Sequence, residues 1–149
     1  MKPTIIIGTG MAGYTVAREL RKLDKTHPLL IVTADDGGFY SKPMLSNAFA
    51  QGKSAAQLQS QSVAQMAAQL NASILTGIRV TGIDTAGKTV QSESGDFEYD
   101  KLVLALGAKP IRLTLNGNAG QEVVSVNTLA DYSGLRERIA AAGERARVV

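Results

Sequence analysis

Residues 4–13 read TIIIGTGMAG, and this stretch decides the fold. Its first four residues are β-branched and do not alternate with polar residues, which is typical of a buried parallel strand. The strand leads directly into a G-x-G-x-x-G loop formed by Gly8, Gly10 and Gly13. In such a loop the first glycine allows a sharp turn, the second lets the backbone approach a pyrophosphate, and the third lets a helix pack closely.

The sequence after the loop predicts a helix and then a second strand. Apolar residues recur at spacings of four, four and three, which predicts one apolar face of a helix, at Ala12, Val16, Leu20 and Leu23. Residues 29–32 read LLIV and predict a second buried strand. The order of strand, glycine loop, helix and strand predicts an α/β domain with a Rossmann-like βαβ unit and a parallel sheet.

An acidic residue follows the second predicted strand at the distance expected for a ribose contact. Asp35 lies 22 residues after Gly13, and an acid placed roughly 20 residues on accepts a hydrogen bond from the ribose of a bound dinucleotide. Asp36 is the competing candidate, and a plain surface turn would explain both aspartates. The residues alone therefore predict a nucleotide-binding domain of unspecified ligand, with a βαβ turn that binds nothing as the alternative.

The remaining sequence predicts a series of short elements. They are a helix that starts at Pro43, a polar surface segment over 51–61, a helix with Val63, Met66, Ala67 and Leu70, strands within 74–75 and 78–83, a hairpin of 88–91 with 97–99, a buried strand over 102–106 and a helix over 131–142. We therefore expect a small antiparallel hairpin in addition to the parallel sheet.

The composition excludes several classes of protein. The chain has 149 residues, 44% of them hydrophobic, and no apolar run reaches the length of about 20 residues that a membrane span needs. Its net charge is +3, but basic residues are interleaved with acids, so we expect no nucleic-acid partner. It contains no cysteine, which excludes disulfides and cysteine-based metal or redox sites within these residues. We expect no metal site, a surface position for His27 and a cytoplasmic location.

Four segments resemble the flavin-dependent pyridine-nucleotide oxidoreductases. They are the glycine loop, ADDG at 34–37, YSKPMLS at 40–46 and LVLALGAKP at 102–110. Within that superfamily the chain is most similar to the bacterial rubredoxin reductases, and the similarity extends over essentially the whole chain. YSKPMLS is the most specific segment, since many families share the glycine loop. The resemblance implies a Rossmann-like FAD-binding fold with FAD as the cofactor.

The resemblance also implies roles for individual residues. Within the loop from Gly8 to Gly13, the residues implied to bind the pyrophosphate are Thr9, Gly10, Met11 and Ala12, and those implied to bind the adenosine ribose are Thr33, Ala34 and Asp35. Lys42 would approach the hydride-accepting N5 of the flavin, where a cation stabilises negative charge, and Pro43 would shape the same wall. Without the resemblance, Lys42 would be interpreted as a solvated surface lysine.

Three further positions are implied on the strands that follow. Val80 would present its backbone to the adenine, although it also suits an ordinary strand core. Ala105 and Gly107 match an Ala-Thr-Gly segment of the family, in which Leu106 replaces the threonine. We therefore expect no polar role for the side chain of Leu106.

The implied activity is that of an oxidoreductase in which NADH reduces FAD, and FAD reduces rubredoxin or another small iron electron carrier. Related disulfide reductases and NADH peroxidases carry redox cysteines, and here Asn47 stands at the position of the peroxidase cysteine. Electrons are therefore expected to leave the flavin directly. A ferredoxin reductase or a nitrite-reductase-type flavoprotein shares most of these motifs and is the alternative.

Members of the family are longer than this chain. We expect residues 1–145 to form the N-terminal part of an incomplete FAD-binding domain, and residues 146–149 to begin a truncated NAD-binding domain. No second G-x-G-x-x-G occurs in the sequence. We therefore expect an N-terminal fragment that is inactive alone, and a non-catalytic nucleotide-binding module is the alternative for this piece.

Overall fold

The computed structural model describes residues 1–143 and 146–147. The chain divides into two compact units, the first made of Met1–Tyr40 and Gln59–Gly107, the second of Ser41–Leu58 and Ala108–Val149. The strands are β1 (Thr4–Ile7), β2 (Leu29–Val32), β3 (Phe39–Tyr40), β4 (Gln59–Gln61), β5 (Ser73–Leu75), β6 (Val80–Asp84), β7 (Thr89–Ser92), β8 (Phe97–Glu98) and β9 (Lys101–Leu104). The α-helices are α1 (Met11–Leu23), α2 (Leu45–Ala48), α3 (Ala55–Leu58), α4 (Val63–Leu70) and α5 (Leu129–Ala142).

A four-stranded parallel sheet in the order β5-β2-β1-β9 forms the centre of the first unit. β1 pairs with β2 on one side and β9 on the other, so that Ile6 lies opposite both Ile31 and Val103. All four residues of β1 are buried, and β2 is buried except at the half-buried Leu30. The structure therefore confirms the predicted βαβ unit and its two strands.

Successive side chains of β1 point to opposite faces of the sheet and enter two different cores. On one face Ile6 packs with buried residues of α1 and α4. On the other face Ile5 and Ile7 pack with Val90 of β7 and with Tyr99. The first unit therefore has three layers, with α1 and α4 on one side of the parallel sheet and β6, β7 and β8 on the other.

The apolar face predicted for α1 is wrong. Of the four predicted positions, Val16 and Leu23 are 38% and 86% exposed, Ala12 is exposed, and Leu20 alone packs against the core. The buried residues of the helix are Gly13, Tyr14 and Ala17. The prediction failed because it placed Ala12 on the buried face, whereas the close contact between Gly13 and the glycine loop sets the rotation of the helix.

The strand predicted over 102–106 is present but is not a buried strand. β9 ends at Leu104, and Leu104 and Leu106 are 57% and 69% exposed. Among the described residues β9 pairs with β1 alone, so it is an edge of the sheet. An aliphatic run does not distinguish a central strand from an edge strand, because the neighbouring strand comes from a distant part of the chain.

Two antiparallel sheets complete the first unit. β6, β7 and β8 form a three-stranded sheet that contains the predicted hairpin, and β6 begins at Val80, later than the predicted start at residue 78. β3 and β4 form a second, two-stranded sheet that the sequence did not predict. β4 lies within the segment expected to be a surface excursion, and its sequence QSQ carries no apolar alternation that would mark a strand.

α4 confirms the short amphipathic helix predicted around Met66 and Leu70. It begins at a capping box, in which the Ser62 hydroxyl accepts from the backbone N–H of Gln65 and the Gln65 side chain accepts from that of Ser62. At its end Asn71 takes a left-handed conformation with φ of 44°. Arg21 of α1 donates to the carbonyl oxygens of Leu70 and Asn71, which ties the two helices together.

The second unit is built around α5. This helix confirms the prediction over 131–142 and begins earlier, at Leu129. Tyr132 is 1% exposed, and its hydroxyl donates to the carbonyl oxygen of Lys53 at 2.6 Å. Arg136 donates to the same carbonyl at 2.9 Å, so α5 holds the segment that precedes α3.

The helix predicted from Pro43 begins as a 3₁₀ turn over Lys42–Met44, with the proline in its first turn, and continues as α2. The expected start of a second domain at 146–149 falls at Val148 and Val149 outside the described residues, and the domain boundaries stay a prediction. Within the described ranges, none of the helices is both long enough and apolar enough to cross a membrane.

Candidate functional site

The glycine loop joins β1 to α1 in a turn that two of its glycines make possible. Gly8 has a positive φ of 112°, and a Cβ at this position would lie 2.2 Å from the carbonyl oxygen of Ala105. A Cβ on Gly13 would lie 2.0 Å from the carbonyl oxygen of Gly8. Any side chain at either position would collide with backbone, so these glycines serve the close packing of strand and helix.

Gly10 differs from its two partners, because a Cβ there would meet no atom within 4 Å. Its φ of −69° is also accessible to any residue. Neither packing nor backbone conformation in the first unit therefore requires glycine at this position. The open space in front of Gly10 suits the approach of a ligand to the backbone.

The N-terminus of α1 has no side-chain cap and no nearby acidic residue on its own first turn. Gly10 is the N-cap. The first backbone N–H groups of a helix have no partner within the helix, and the helix dipole places partial positive charge there. Met11 and Ala12 are exposed at this end. A phosphate could therefore bind these groups directly.

Asp35 is linked to the glycine loop through two threonine hydroxyls. The Thr9 hydroxyl lies 2.9 Å from Asp35 Oδ1 and 3.0 Å from the Thr33 hydroxyl, which itself donates to Asp35 Oδ1 at 2.6 Å. The backbone N–H of Gly37 donates to the same oxygen at 3.1 Å. Thr9 and Thr33 are buried, while Ala34 and Asp35 are exposed. The structure thus brings together Thr9, Thr33 and Asp35, which the sequence analysis had divided between two parts of the ligand.

The competing candidate, Asp36, has a different environment. Its carboxylate accepts from the backbone N–H of Gly38 at 3.0 Å, and no side-chain bond to the glycine loop is among the hydrogen bonds of the described residues. Of the two aspartates, Asp35 is therefore the one whose side chain is bonded to the glycine loop in the described residues. The hydroxyl contacts of Thr9 were not predicted, although the sequence has one threonine in the loop and another directly after β2.

Tyr14 fixes the turn that follows Asp35. The side chain is fully buried, its hydroxyl donates to the carbonyl oxygen of Gly37, and its ring meets that of Phe39 edge to face at 5.7 Å. Burial, together with the nearby charges of Asp35 and Asp36, raises the pKa of Tyr14 to about 12. The phenol therefore stays protonated and keeps donating throughout the ordinary pH range. Tyr14 is a supporting residue that was not among the predicted site residues.

The other implied residues of the first unit have distinct positions. Ala105 donates its backbone N–H to Ile7 at 2.8 Å and adjoins both Gly8 and Gly13. Gly107 follows with a positive φ of 70°. Val80 is half-buried against the core that contains Ile5 and Ile7, and the pairing of β6 with β7 is irregular between Val80 and Gly82. The strand-core interpretation of Val80 is therefore correct for its side chain.

Lys42 and Pro43 belong to the second unit and are both exposed there. The ammonium of Lys42 lies 3.4 Å from Oδ1 of Asn127, whose side-chain amide donates to the carbonyl oxygen of Ala108 at 3.2 Å. Asn127 also donates its backbone N–H to Asp131 at 3.0 Å. Asn127 was not a predicted residue, and no motif in the sequence marks it.

Two expectations concern residues outside these clusters. His27 is half-buried, and its Nε2 lies 2.9 Å from the hydroxyl of Thr4, so it is more than a free surface side chain. Over residues 1–143 and 146–147, no group of three or more histidine or acidic residues is arranged to hold a metal ion.

Comparison with known proteins identifies the family. Residues 2–149 match the family described as pyridine nucleotide-disulphide oxidoreductase. The chain is 47% identical over 139 residues to the rubredoxin-NAD(+) reductase of Alcanivorax borkumensis, and 42% identical over 144 residues to that of Acinetobacter baylyi. These alignments cover 93% and 94% of this chain.

One solved structure has a fold similar to that of this chain. The chain superposes on the covalent putidaredoxin reductase–putidaredoxin complex with a TM-score of 0.78 and 29% identity, covering 93% of this chain and 34% of that chain. The chain also spans only 36% and 37% of the lengths of the two curated relatives. The resemblance found in the sequence is thus confirmed, and the chain belongs to the pyridine nucleotide-disulphide oxidoreductase family.

Proposed function

We propose that this chain forms the FAD-binding part of an NADH-dependent reductase that passes electrons through FAD to rubredoxin. The observation that carries the proposal is the contrast within the glycine loop, where Gly8 and Gly13 are closed by backbone and Gly10 faces open space. Two relatives named rubredoxin-NAD(+) reductase support the choice of NADH and rubredoxin.

The residues of the loop fit the pyrophosphate of FAD. The open space at Gly10 would let phosphate oxygens reach the backbone, and the exposed start of α1 at Met11 and Ala12 offers uncapped N–H groups. The helix carries no acid in its first turn that would repel an anion. Thr9 would contribute its backbone, since its side chain is turned toward Asp35.

The end of β2 fits the adenosine ribose. Asp35 is exposed, and its carboxylate would accept hydrogen bonds from ribose hydroxyls. Thr33 and Ala34 would lie beside Asp35 and border the ribose. We propose that Val80 presents its backbone to the adenine, and that Ala105 and Gly107 border the pyrophosphate from the neighbouring strand.

Lys42 and Pro43 would serve the flavin end of the cofactor. The ammonium of Lys42 is an exposed positive charge that could stabilise negative charge on a neighbouring ring system, and Pro43 would limit the space beside it. When bound, FAD would accept a hydride from NADH and pass on single electrons. The sequence contains no cysteine, so no thiol relay among these residues takes part. We also propose a cytoplasmic location, where NADH is available.

Titration of the chain with FAD tests this proposal. We expect weak but saturable binding that quenches flavin fluorescence, stronger for FAD than for riboflavin, which lacks the pyrophosphate and adenosine. Gly10→Ala should weaken FAD binding by about tenfold or more, since its methyl group would occupy the space of the phosphate. Gly134→Ala in α5 is the matched control and should bind FAD as the unmodified chain does. Equal binding of FAD and riboflavin would contradict the proposal.

A second measurement separates the chain from the reductase that contains it. We expect the 149-residue chain with added FAD, NADH and rubredoxin to show no NADH oxidation, because its sequence holds a single G-x-G-x-x-G loop. The reductase that contains the chain should oxidise NADH and reduce rubredoxin. Turnover by the chain alone would overturn the first expectation, and a reductase that ignores rubredoxin would overturn the proposed acceptor.

A further inference from the structure

We propose that the hydroxyls of Thr9 and Thr33 are positioning groups that orient the Asp35 carboxylate for recognition of an adenosine ribose hydroxyl. The inference rests on the proposed function and assigns to Thr9 a side-chain role beyond the backbone contact expected of a glycine-loop residue. It also makes the discrimination of the ribose hydroxyl a property of three residues instead of one.

The geometry of the three side chains carries the proposal. Asp35 Oδ1 lies 2.9 Å from the Thr9 hydroxyl and 2.6 Å from the Thr33 hydroxyl. Thr9 and Thr33 are only 4% and 5% exposed, so water does not compete effectively for their hydroxyls. Hydrogen bonds that donate to a carboxylate from such buried groups are stronger than bonds between neutral groups.

A single carboxylate oxygen, Oδ1 of Asp35, accepts all of these hydrogen bonds. The backbone N–H of Gly37 is the third donor to Oδ1, at 3.1 Å. Oδ2 of Asp35 has no hydrogen-bond partner among the residues that the structure describes. The rotation of the carboxylate is thus fixed from one side, and its second oxygen remains able to accept from a ligand hydroxyl.

The position of Thr9 gives the arrangement a consequence for binding. Thr9 lies in the loop between Gly8 and Gly10, so one hydrogen bond connects the carboxylate for the ribose with the backbone for the pyrophosphate. A carboxylate that is already oriented loses less side-chain freedom when the ligand binds. Asp36 lacks such a connection and would lose more side-chain freedom if it bound the ribose. The two adjacent aspartates are therefore not equivalent as ribose-binding residues.

The test compares two ligands that differ by a single hydroxyl, ADP and 2′-deoxy-ADP, by calorimetric titration of the full chain. We expect the unmodified chain to bind ADP about tenfold more tightly than 2′-deoxy-ADP. Thr9→Val keeps the shape of the side chain but removes the hydroxyl, and should lower this ratio to about twofold. Thr9→Ser restores the hydroxyl and should restore the ratio.

A structural role for the threonines would give a different result. Thr9→Val would then weaken both ligands equally, and that outcome, like an unchanged ratio of affinities, overturns the inference. If Thr9→Val does not fold, Thr33→Val carries the same expectation, because it removes the 2.6 Å bond to Asp35 and changes no residue of the glycine loop. An unmodified chain that binds ADP without preferring it to 2′-deoxy-ADP refutes the role of Asp35 and the inference with it. A chain that binds neither ADP nor FAD refutes the proposed function itself.

Discussion

A Cβ placed on Gly13 would lie 2.0 Å from the carbonyl oxygen of Gly8. The third glycine of the loop thus rests directly on the backbone of the first, and α1 starts against the end of β1 with no room for a methyl group. The second glycine has no such contact. One motif therefore contains two glycines that the fold requires and one that it does not.

This contrast predicts that the two substitutions differ in how much stability they cost. Gly13→Ala should lower the free energy of unfolding by about 2–3 kcal/mol, because the backbone of the loop must move to admit the methyl group. Gly10→Ala should change it by less than about 1 kcal/mol. Chemical denaturation of both variants makes the comparison. Gly134→Ala, inside α5, is the control and should be neutral or stabilising by up to about 1 kcal/mol. Equal losses for Gly10→Ala and Gly13→Ala would show that the loop geometry is wrong.

The buried phenol of Tyr14 predicts a loss of stability in alkali. Folding raises the pKa of this group from 10.0 to about 12, chiefly through burial and then through the charges of Asp35 and Asp36. The folded state therefore holds its proton to higher pH than the unfolded state does. The contribution of the phenol to the free energy of unfolding is complete at pH values below its pKa in the unfolded state. It is lost as the pH rises through its pKa in the folded state.

Tyr14→Phe should remove most of this alkaline dependence and, at neutral pH, should cost about 1 kcal/mol for the hydrogen bond to Gly37. Urea denaturation across the alkaline range measures both effects. Tyr99→Phe, which alters another buried tyrosine of the same unit, is the control and should leave the alkaline loss in place. An alkaline profile that Tyr14→Phe does not alter would argue against the burial of this phenol.

Asp131 predicts an acid-sensitive step in the second unit. Partial burial alone would raise its pKa, but the hydrogen bonds from Asn127 and Thr128 and the positive charge of Lys42 outweigh this effect, and the pKa is lowered from 3.8. A carboxyl whose pKa is lowered by folding stabilises the folded state at pH values above its pKa in the unfolded state. This stabilisation is lost as the pH falls through its pKa in the folded state.

Asp131→Asn should therefore reduce stability near neutral pH and should make the second unit less sensitive to acid below about pH 4. Total helix content, to which α5 contributes the longest helix, is followed by circular dichroism during acid titration. Asp96→Asn changes an exposed turn residue of the first unit and is the matched control. An identical acid profile for Asp131→Asn and the unmodified chain would contradict this prediction.

Lys42 predicts a kinetic effect in the full-length reductase proposed above. If its ammonium stabilises negative charge near the flavin, Lys42→Ala should slow flavin reduction by NADH about tenfold or more and leave FAD retention largely intact. Anaerobic stopped-flow absorbance measures the reduction, and the flavin-to-protein ratio after gel filtration measures retention. Lys25→Ala removes an exposed lysine of the first unit and should change neither quantity. Unchanged reduction in Lys42→Ala would remove Lys42 from the mechanism.

The sequence determined the βαβ unit, the hairpin and the family. Each depends on a local signal: the β-branched run of β1, the spacing of Gly8, Gly10 and Gly13, and the YSKPMLS string at 40–46. These signals act over a few residues, so no distant part of the chain was needed to recognise them. The candidate ribose acid was also located, although the choice between Asp35 and Asp36 stayed open.

The tertiary structure decided everything that depends on contacts between distant residues. It set the rotation of α1, where Tyr14 is buried in place of Val16, because Gly13 rests on Gly8. It paired the unpatterned β4 with β3 and left β9 with a single neighbour among the described residues. Above all it connected Thr9 to Asp35 across 26 positions of the chain. A hydrogen bond between a loop and the end of another strand leaves no periodicity in the sequence, so only the folded backbone could reveal it.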